Sequence, residues 1–367
     1  ISGDSLMQLA VEAAEIDADS RSEIILGLPG ESLKSHFKTI DTVIDARFNH
    51  VNTYQLMMLP GTEIDSPETR QKFDMKTRFR ILPRCFGYYD VLGKQVVAAE
   101  IEEVCVSTNT LTFEDYIKCR KMHLLIHIYH NDGLFNSALE FIKFLKLSPY
   151  RWLELLFEEK MIGGVKELFE KYEQDTRQEL WLNHDELVQN IQNPGIVDSY
   201  ISGDLGYNLL FVHKAIAMSR FVTDLKKFAK ITLENLLSEN NLNSTENLDF
   251  LNDALNYDAC CISNIFENIE KTPTVDMKYN VQKFISEKTK KLEEIRFKKP
   301  ITISFVMNES QQDILTRSLE LYGSTDIGVS RILTKVFVKK ILRTGSTPAD
   351  LQKSDIQIKN AADWPYC

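Results

Sequence analysis

The chain has 367 residues, a formal net charge of -10 and 43% hydrophobic residues. That length suits about two or three domains. The acidic balance argues against a general nucleic-acid binder, which needs positive surface to displace counterions, and no apolar run nears the roughly 18 residues required to span a bilayer. Six cysteines at 85, 105, 119, 260, 261 and 367 are too irregular for a disulfide scaffold. No signal peptide is visible after Ile1, so a reducing cytoplasm is the expected compartment.

In chain order, residues 1–20 carry Leu6, Leu9, Ala10, Ala13 and Ala14 at helical spacing. Residues 23–28 are too short for a helix and rich in isoleucine and leucine, which predicts a strand buried on both faces. Pro29-Gly30 turns the chain, and Ser32 can cap a helix reaching about Ala46, with Leu33, Phe37, Ile40 and Ile44 on one face. Residues 51–59 alternate in part and stop at Pro60-Gly61, which predicts a second strand. Helix, strand, helix, strand with tight turns predicts a parallel α/β sheet or barrel.

Residues 67–97 mix aromatic and arginine side chains irregularly, and Arg84, Tyr88 and Tyr89 could cover a barrel mouth there. From Phe113 to about Arg296 the period is mostly helical, with breaks near Asn131-Asp132-Gly133, Pro149, Gly163-Gly164, Pro194-Gly195 and residues 203–206. Residues 286–300 read as a solvated helix with opposite charges at close spacing. Pro300 ends the helical region, 301–307 is a strand, and helices are expected over about 308–321 and 328–342 before a polar tail from Gly345.

Several groups could carry chemistry. A glycine at a parallel strand's carboxyl end is where ligands approach in such sheets, and Gly27 occupies that place, although Gly27 to Gly30 could equally be only a tight turn. Period two puts Thr53, Gln55 and Met57 on one face; two polar side chains on a buried strand suit a barrel lumen or a satisfied buried pair. Cys119, His123, His127 and His130 share a helix face opposite the stripe of Phe113, Ile117, Leu124 and Ile128, which reads as a solvated or secondary-interface face and alternatively as a metal site. Met57-Met58 and Cys260-Cys261 suit core packing.

The stretch Ser-Glu-Ile-Ile-Leu-Gly-Leu-Pro-Gly-Glu-Ser at 22–32, followed about twenty residues on by Val-Asn-Thr-Tyr-Gln-Leu-Met-Met-Leu-Pro-Gly-Thr-Glu, resembles the fifth and sixth strands of a radical SAM (S-adenosylmethionine) enzyme. The later Arg-Phe-Arg-Ile-Leu-Pro-Arg-Cys-Phe-Gly-Tyr-Tyr-Asp is similar to the continuation in the subfamily with an N-terminal cobalamin-binding domain. The resemblance covers about residues 1–130 and implies a partial (β/α)6 barrel. A [4Fe-4S] cluster would cleave SAM reductively, for radical chemistry or cobalamin-dependent methyl transfer, with an electron donor such as flavodoxin or ferredoxin. It implies cofactor contacts at Ile25, Gly27, Gln55 and Leu59, with Ile25 packing on the adenine. Glu23 stands where the family has its first glycine, and Glu31 is one residue late for the family's glutamate. The substrate and the catalytic residues are not readable.

No cysteine triplet here has the family's CxxxCxxC spacing, and the first four strands have no counterpart. The expectation is therefore a C-terminal portion that holds no cluster ligand and is inactive alone: barrel strands and continuation over 1–108, a mainly helical accessory region over 109–299, a strand-helix-helix segment over 300–344 and a polar tail over 345–367. Two rivals stay open. One is a mainly helical interaction module with an inert barrel remnant. The other is an ordinary barrel enzyme using strand-end carboxylates such as Glu31 and Glu63.

Overall fold

The computed structural model describes residues 20–348 apart from 194, 203, 204 and 288, together with Leu9 and Glu12. The helix expected over 1–20 falls mostly outside these residues, as does the tail beyond 348. The elements run β1 (Arg21–Leu26), α1 (Leu33–Asp45), β2 (His50–Gln55), α2 (Pro67–Lys72), β3 (Lys76–Val91), β4 (Lys94–Ser107), α3 (Phe113–Tyr129), α4 (Asn136–Phe144), α5 (Pro149–Glu158), α6 (Gly163–Gln178), α7 (His184–Ile191), α8 (Ile196–Ser202), α9 (Leu209–Arg220), α10 (Val222–Glu239), α11 (Thr245–Ile262), β5 (Thr274–Tyr279), α12 (Val281–Ser286), β6 (Arg296–Val306), α13 (Glu309–Tyr322), α14 (Asp326–Lys335) and β7 (Thr344–Ser346). This is a mixed α/β chain, and among the described residues its sheets hold two, two and three strands, none closed into a barrel. Among the described residues, no helix is long and apolar enough to cross a membrane.

The described residues divide into two compact units that alternate along the sequence: those up to 131, 162–216 and 325–331 form the first, and those in 132–161, 217–324 and from 332 the second. In the first unit β1 and β2 pair in parallel, Arg21 opposite His50 and Leu26 opposite Gln55. The connection is α1, which begins where expected: Ser32 accepts from the Ser35 N–H while the Ser35 hydroxyl answers the Ser32 N–H, a reciprocal cap. His36, Ile40, Val43 and Ile44 form its buried face.

The expectation that β1 is buried on both faces is corrected. Ile24 and Leu26 are buried, whereas Ile25 between them is 41% exposed. One face packs on Val104, Val106, Leu111, Tyr116 and Ile117, and the other is open. Among the described residues β1 pairs only with β2, so its outer edge has no ladder partner.

Residues 76–107, expected to be partly irregular, instead make a long antiparallel hairpin, β3 with β4. Two features hid it. Pro83 and Arg84 interrupt the alternation in a register break between Ile81 and Phe86, and Arg84 has φ 68°. The two-residue turn Leu92-Gly93 also has both φ positive, the hairpin geometry usually announced by Asn-Gly. Beyond Gln55 the chain leaves β2 and crosses to β4: the Met58 N–H donates to the Glu103 carbonyl at 2.8 Å and the Cys105 N–H to the Leu56 carbonyl at 2.9 Å.

In the second unit, α4, α5, α10 and α11 surround an apolar centre that includes Trp152, Phe141, Phe228 and Phe250. The Trp152 indole N–H reaches the Thr232 hydroxyl at 3.0 Å, so the ring is buried without an orphan donor. Cys261 is buried in α11 with Cys260 partly exposed beside it. The antiparallel sheet β5-β6-β7 completes the unit.

Expectations for the later part of the chain are corrected. β5 lies inside the stretch read as helical. The solvated helix over 286–300 is absent, because α12 ends at Ser286 and β6 begins at Arg296. Pro300 therefore sits within a strand; the register jumps from Met277 opposite Ile301 to Tyr279 opposite Arg296, so residues 297–300 bulge out of the ladder, where a missing N–H is tolerated. Of the final two helices, α13 matches, but the second ends at Lys335 rather than about 342.

Candidate functional site

The turn after β1 is built from its own residues. Gly27 has φ 96° and Gly30 φ 80°, conformations that glycine enters without steric cost. The space beside the Gly27 α-carbon is taken: a Cβ there would lie 3.1 Å from the Cys105 carbonyl oxygen. Close approach of β4, within this chain, accounts for that glycine. Glu31 also has a local role. Its Oε2 accepts from the Gly27 N–H at 2.6 Å, and its Oε1 lies 2.8 Å from His36 Nδ1.

From His36 the chain of contacts continues inward. His36 Nε2 and His123 Nε2 are 2.8 Å apart, and both rings are fully buried. One of the two nitrogens must carry the hydrogen. Burial, and next the His36 charge, hold His123 far below the usual histidine range, so His123 is neutral. The histidine face of α3 is interior, which rules out the solvated half of the expectation and fits its secondary-interface half: Cys119 and His123 are fully buried, His127 is 3% exposed and His130 8% exposed. His130 Nε2 bonds the Phe48 carbonyl at 2.9 Å. Asn131, just beyond, completes the edge of β2 by exchanging two hydrogen bonds with the Val51 backbone, at 3.0 and 2.9 Å. Nearly the whole helix is buried, so its two sides meet different neighbours rather than core and water. Among the described residues, no three His, Cys, Asp or Glu side chains converge as a metal site.

A cavity of about 370 Å³ lies against β2. Its walls include Thr53, Gln55 and Met57, Arg80 and Glu102 from the hairpin, Arg120 and His127 from α3, and Phe211 from α9. Arg80 is committed: it donates to Glu102, to Glu179 at 2.9 Å and to the Gln55 side-chain oxygen at 3.0 Å. Arg120 differs. It is 2% exposed, yet its Nε and Nη1 have no hydrogen-bond partner; its guanidinium lies 5.7 Å from the Tyr172 ring centre. The Thr53 hydroxyl, 6% exposed, is likewise unpartnered. A second cavity of about 470 Å³ shares Arg80 and includes Asp175, whose carboxylate meets His213 Nε2 at 3.0 Å.

The residues singled out from sequence thus separate. Ile25 stands on the open face of the β1-β2 pair beside Tyr54, its register partner, which is 48% exposed. Gly27 ends the strand against β4, and Leu59 is 52% exposed past β2. Gln55 aligns with buried Leu26, so alternation sends it to the face opposite Ile25, where Arg80 holds it. Tyr88 and Tyr89 are exposed on β3, with the Tyr88 hydroxyl 3.1 Å from Asp198. The sequence reading missed Arg120. The one available signal was an arginine within a helix whose flanks, Tyr116-Ile117 and Met122 to Tyr129, are rich in apolar residues. Comparison with protein-family models and with curated proteins finds no match for this chain.

Proposed function

We propose that this chain is the C-terminal portion of a radical SAM enzyme, supplying the last two strands of a partial (β/α)6 barrel and the accessory region that follows. The observation that supports the reading is the β1-β2 pair. Parallel strands are normally covered on both faces, yet here Ile25, Leu28, Tyr54, Met57 and Leu59 are large apolar residues at 37–52% exposure on or just beyond these strands, and β1 has an unpaired edge. Further barrel strands at that edge and an adenine on Ile25 would cover this surface.

The chain's residues suit the nucleoside end of SAM and not the cluster. No donor set converges among the described residues, and burial pushes the Cys105 thiol up to about 11, away from the thiolate that a metal requires. Cluster ligands, and a cobalamin domain if one is used, would come from other parts of the enzyme. Gly27 and Glu31 would shape the strand-end turn, while Ile25 and Leu59 offer apolar contact.

Three measurements test the proposal. The coding sequence ahead of Ile1 should encode four more strand-helix repeats with CxxxCxxC after the first. The full-length protein, reduced anaerobically, should then release 5′-deoxyadenosine from SAM, and Ile25→Asp should weaken SAM binding by about tenfold, the scale of one lost apolar contact. A coding sequence lacking those cysteines would overturn the reading and leave a mainly helical interaction module.

A further inference from the structure

We infer that the cavity beside β2 is a receptor for a small organic carboxylate with an apolar body, held by Arg120. The inference stands apart from the radical SAM reading, since it rests on the cavity wall alone. Buried polar groups are almost always hydrogen-bonded, and a buried charge without a partner is among the costliest features a fold can hold. Arg120 breaks that rule with two open nitrogens, and Thr53 breaks it with its hydroxyl, on the wall of the same cavity.

The surrounding charges leave this guanidinium uncompensated. On the cavity wall the charged groups are Arg80, Glu102 and Arg120. Glu102 is occupied by Arg80, which also holds Glu179. Tyr172 beneath Arg120 offers a ring face but no negative charge. An incoming anion would therefore meet the Arg120 guanidinium and the Thr53 hydroxyl, where hydrogen bonds to a charged group are strongest.

The remaining wall sets the ligand class. Met57, Leu82, Pro83, Leu210 and Phe211 make an apolar side, with Asn52 and Asn208 as neutral polar neighbours, and about 370 Å³ sits at the lower end of the range for small-molecule sites. A phosphate dianion carries one charge more than Arg120 balances, and Glu102 would repel it; a monoanionic carboxylate with a short aliphatic or aromatic tail fits both the charge and the apolar side of the wall.

The test uses the 367-residue chain at pH 7.5 with hexanoate and phenylacetate as probes, hexanamide and phenylacetamide as neutral matches, and inorganic phosphate. Ligand-observed NMR titration reads the dissociation constants. The acids should bind at least about tenfold tighter than their amides, the scale of a charge-assisted hydrogen bond in a buried site. Arg120→Gln should abolish that preference. Thr53→Val, which keeps size and removes only the hydroxyl, should weaken the acids severalfold without touching the amides; it keeps the test open should the arginine variant fold poorly. Equal binding of acids and amides, no binding of either acid, or binding of phosphate alone would each overturn the proposal, the second meaning that buried water satisfies Arg120.

Discussion

At the scale of single residues, the turn after β1 shows how one sequence feature can hold two causes. Gly27 and Gly30 share the left-handed backbone, but the space around them differs. A Cβ at Gly30 meets nothing within 4 Å, whereas one at Gly27 meets the Cys105 carbonyl at 3.1 Å. Gly30→Ala should therefore cost about 1 kcal/mol, the penalty for an L-residue in that region. Gly27→Ala should cost visibly more, because β4 must also retreat. Urea unfolding of the two variants checks the order; equal losses would mean that β4 yields freely and that Gly27 is needed only for its φ angle. Glu31 belongs to the same turn. Its position, one residue off the resembled motif, left its role undefined in the sequence. The fold supplies that role by aiming one oxygen at the Gly27 N–H and the other at His36.

At the scale of elements, legibility follows how far each element's neighbours are local. Helix α1 was readable to within a residue because its cap and its buried face are both written in its own sequence. The hairpin β3-β4 was not: beyond its register break and unusual turn, Arg78 and Arg80 within it also find partners far along the chain, at Leu180 and Glu179. Whether the histidine face of α3 meets water or a second interface was undecided for the same reason: His36, which meets His123 Nε2, lies 87 residues earlier. Helix α4 offers a sharper case. Phe135 precedes it and provides no side-chain cap. The cap comes instead from Asp258 on α11, which accepts from the Ser137 and Ala138 N–H groups at 3.0 and 3.1 Å. Asp258→Ala would orphan both donors inside the core and should cost about 2–3 kcal/mol. Asp258→Asn keeps one acceptor and should lose less. If chemical denaturation ranks the two variants equally, the cap contributes nothing beyond volume.

At the scale of the whole molecule, the two units each contain a buried group whose ionisation opposes the other's, and this makes a pH prediction with a definite sign. In the first unit His123 has its pKa driven far down, mainly by burial. Its stabilising effect is present above the unfolded value near 6.5 and is lost as pH falls, because only the unfolded chain takes up the proton there. In the second unit burial raises the Asp258 carboxyl to about 7. Its effect is complete below the unfolded value near 4 and is lost as pH rises through about 7. Each group contributes a slope of about 1.4 kcal/mol per pH unit where only one state is charged, and between about pH 4 and 6.5 the slopes are opposite. Their contributions to stability should therefore cancel across that window. Removing one group should expose the other: His123→Gln should make the protein gain stability on acidification from pH 6.5 to 5, and Asp258→Asn should make it lose stability over the same range. Thermal melts of the wild type and both variants at three pH values decide the matter. Parallel pH profiles in all three proteins would show that neither buried group governs the acid response and that its origin lies in the many exposed carboxylates instead.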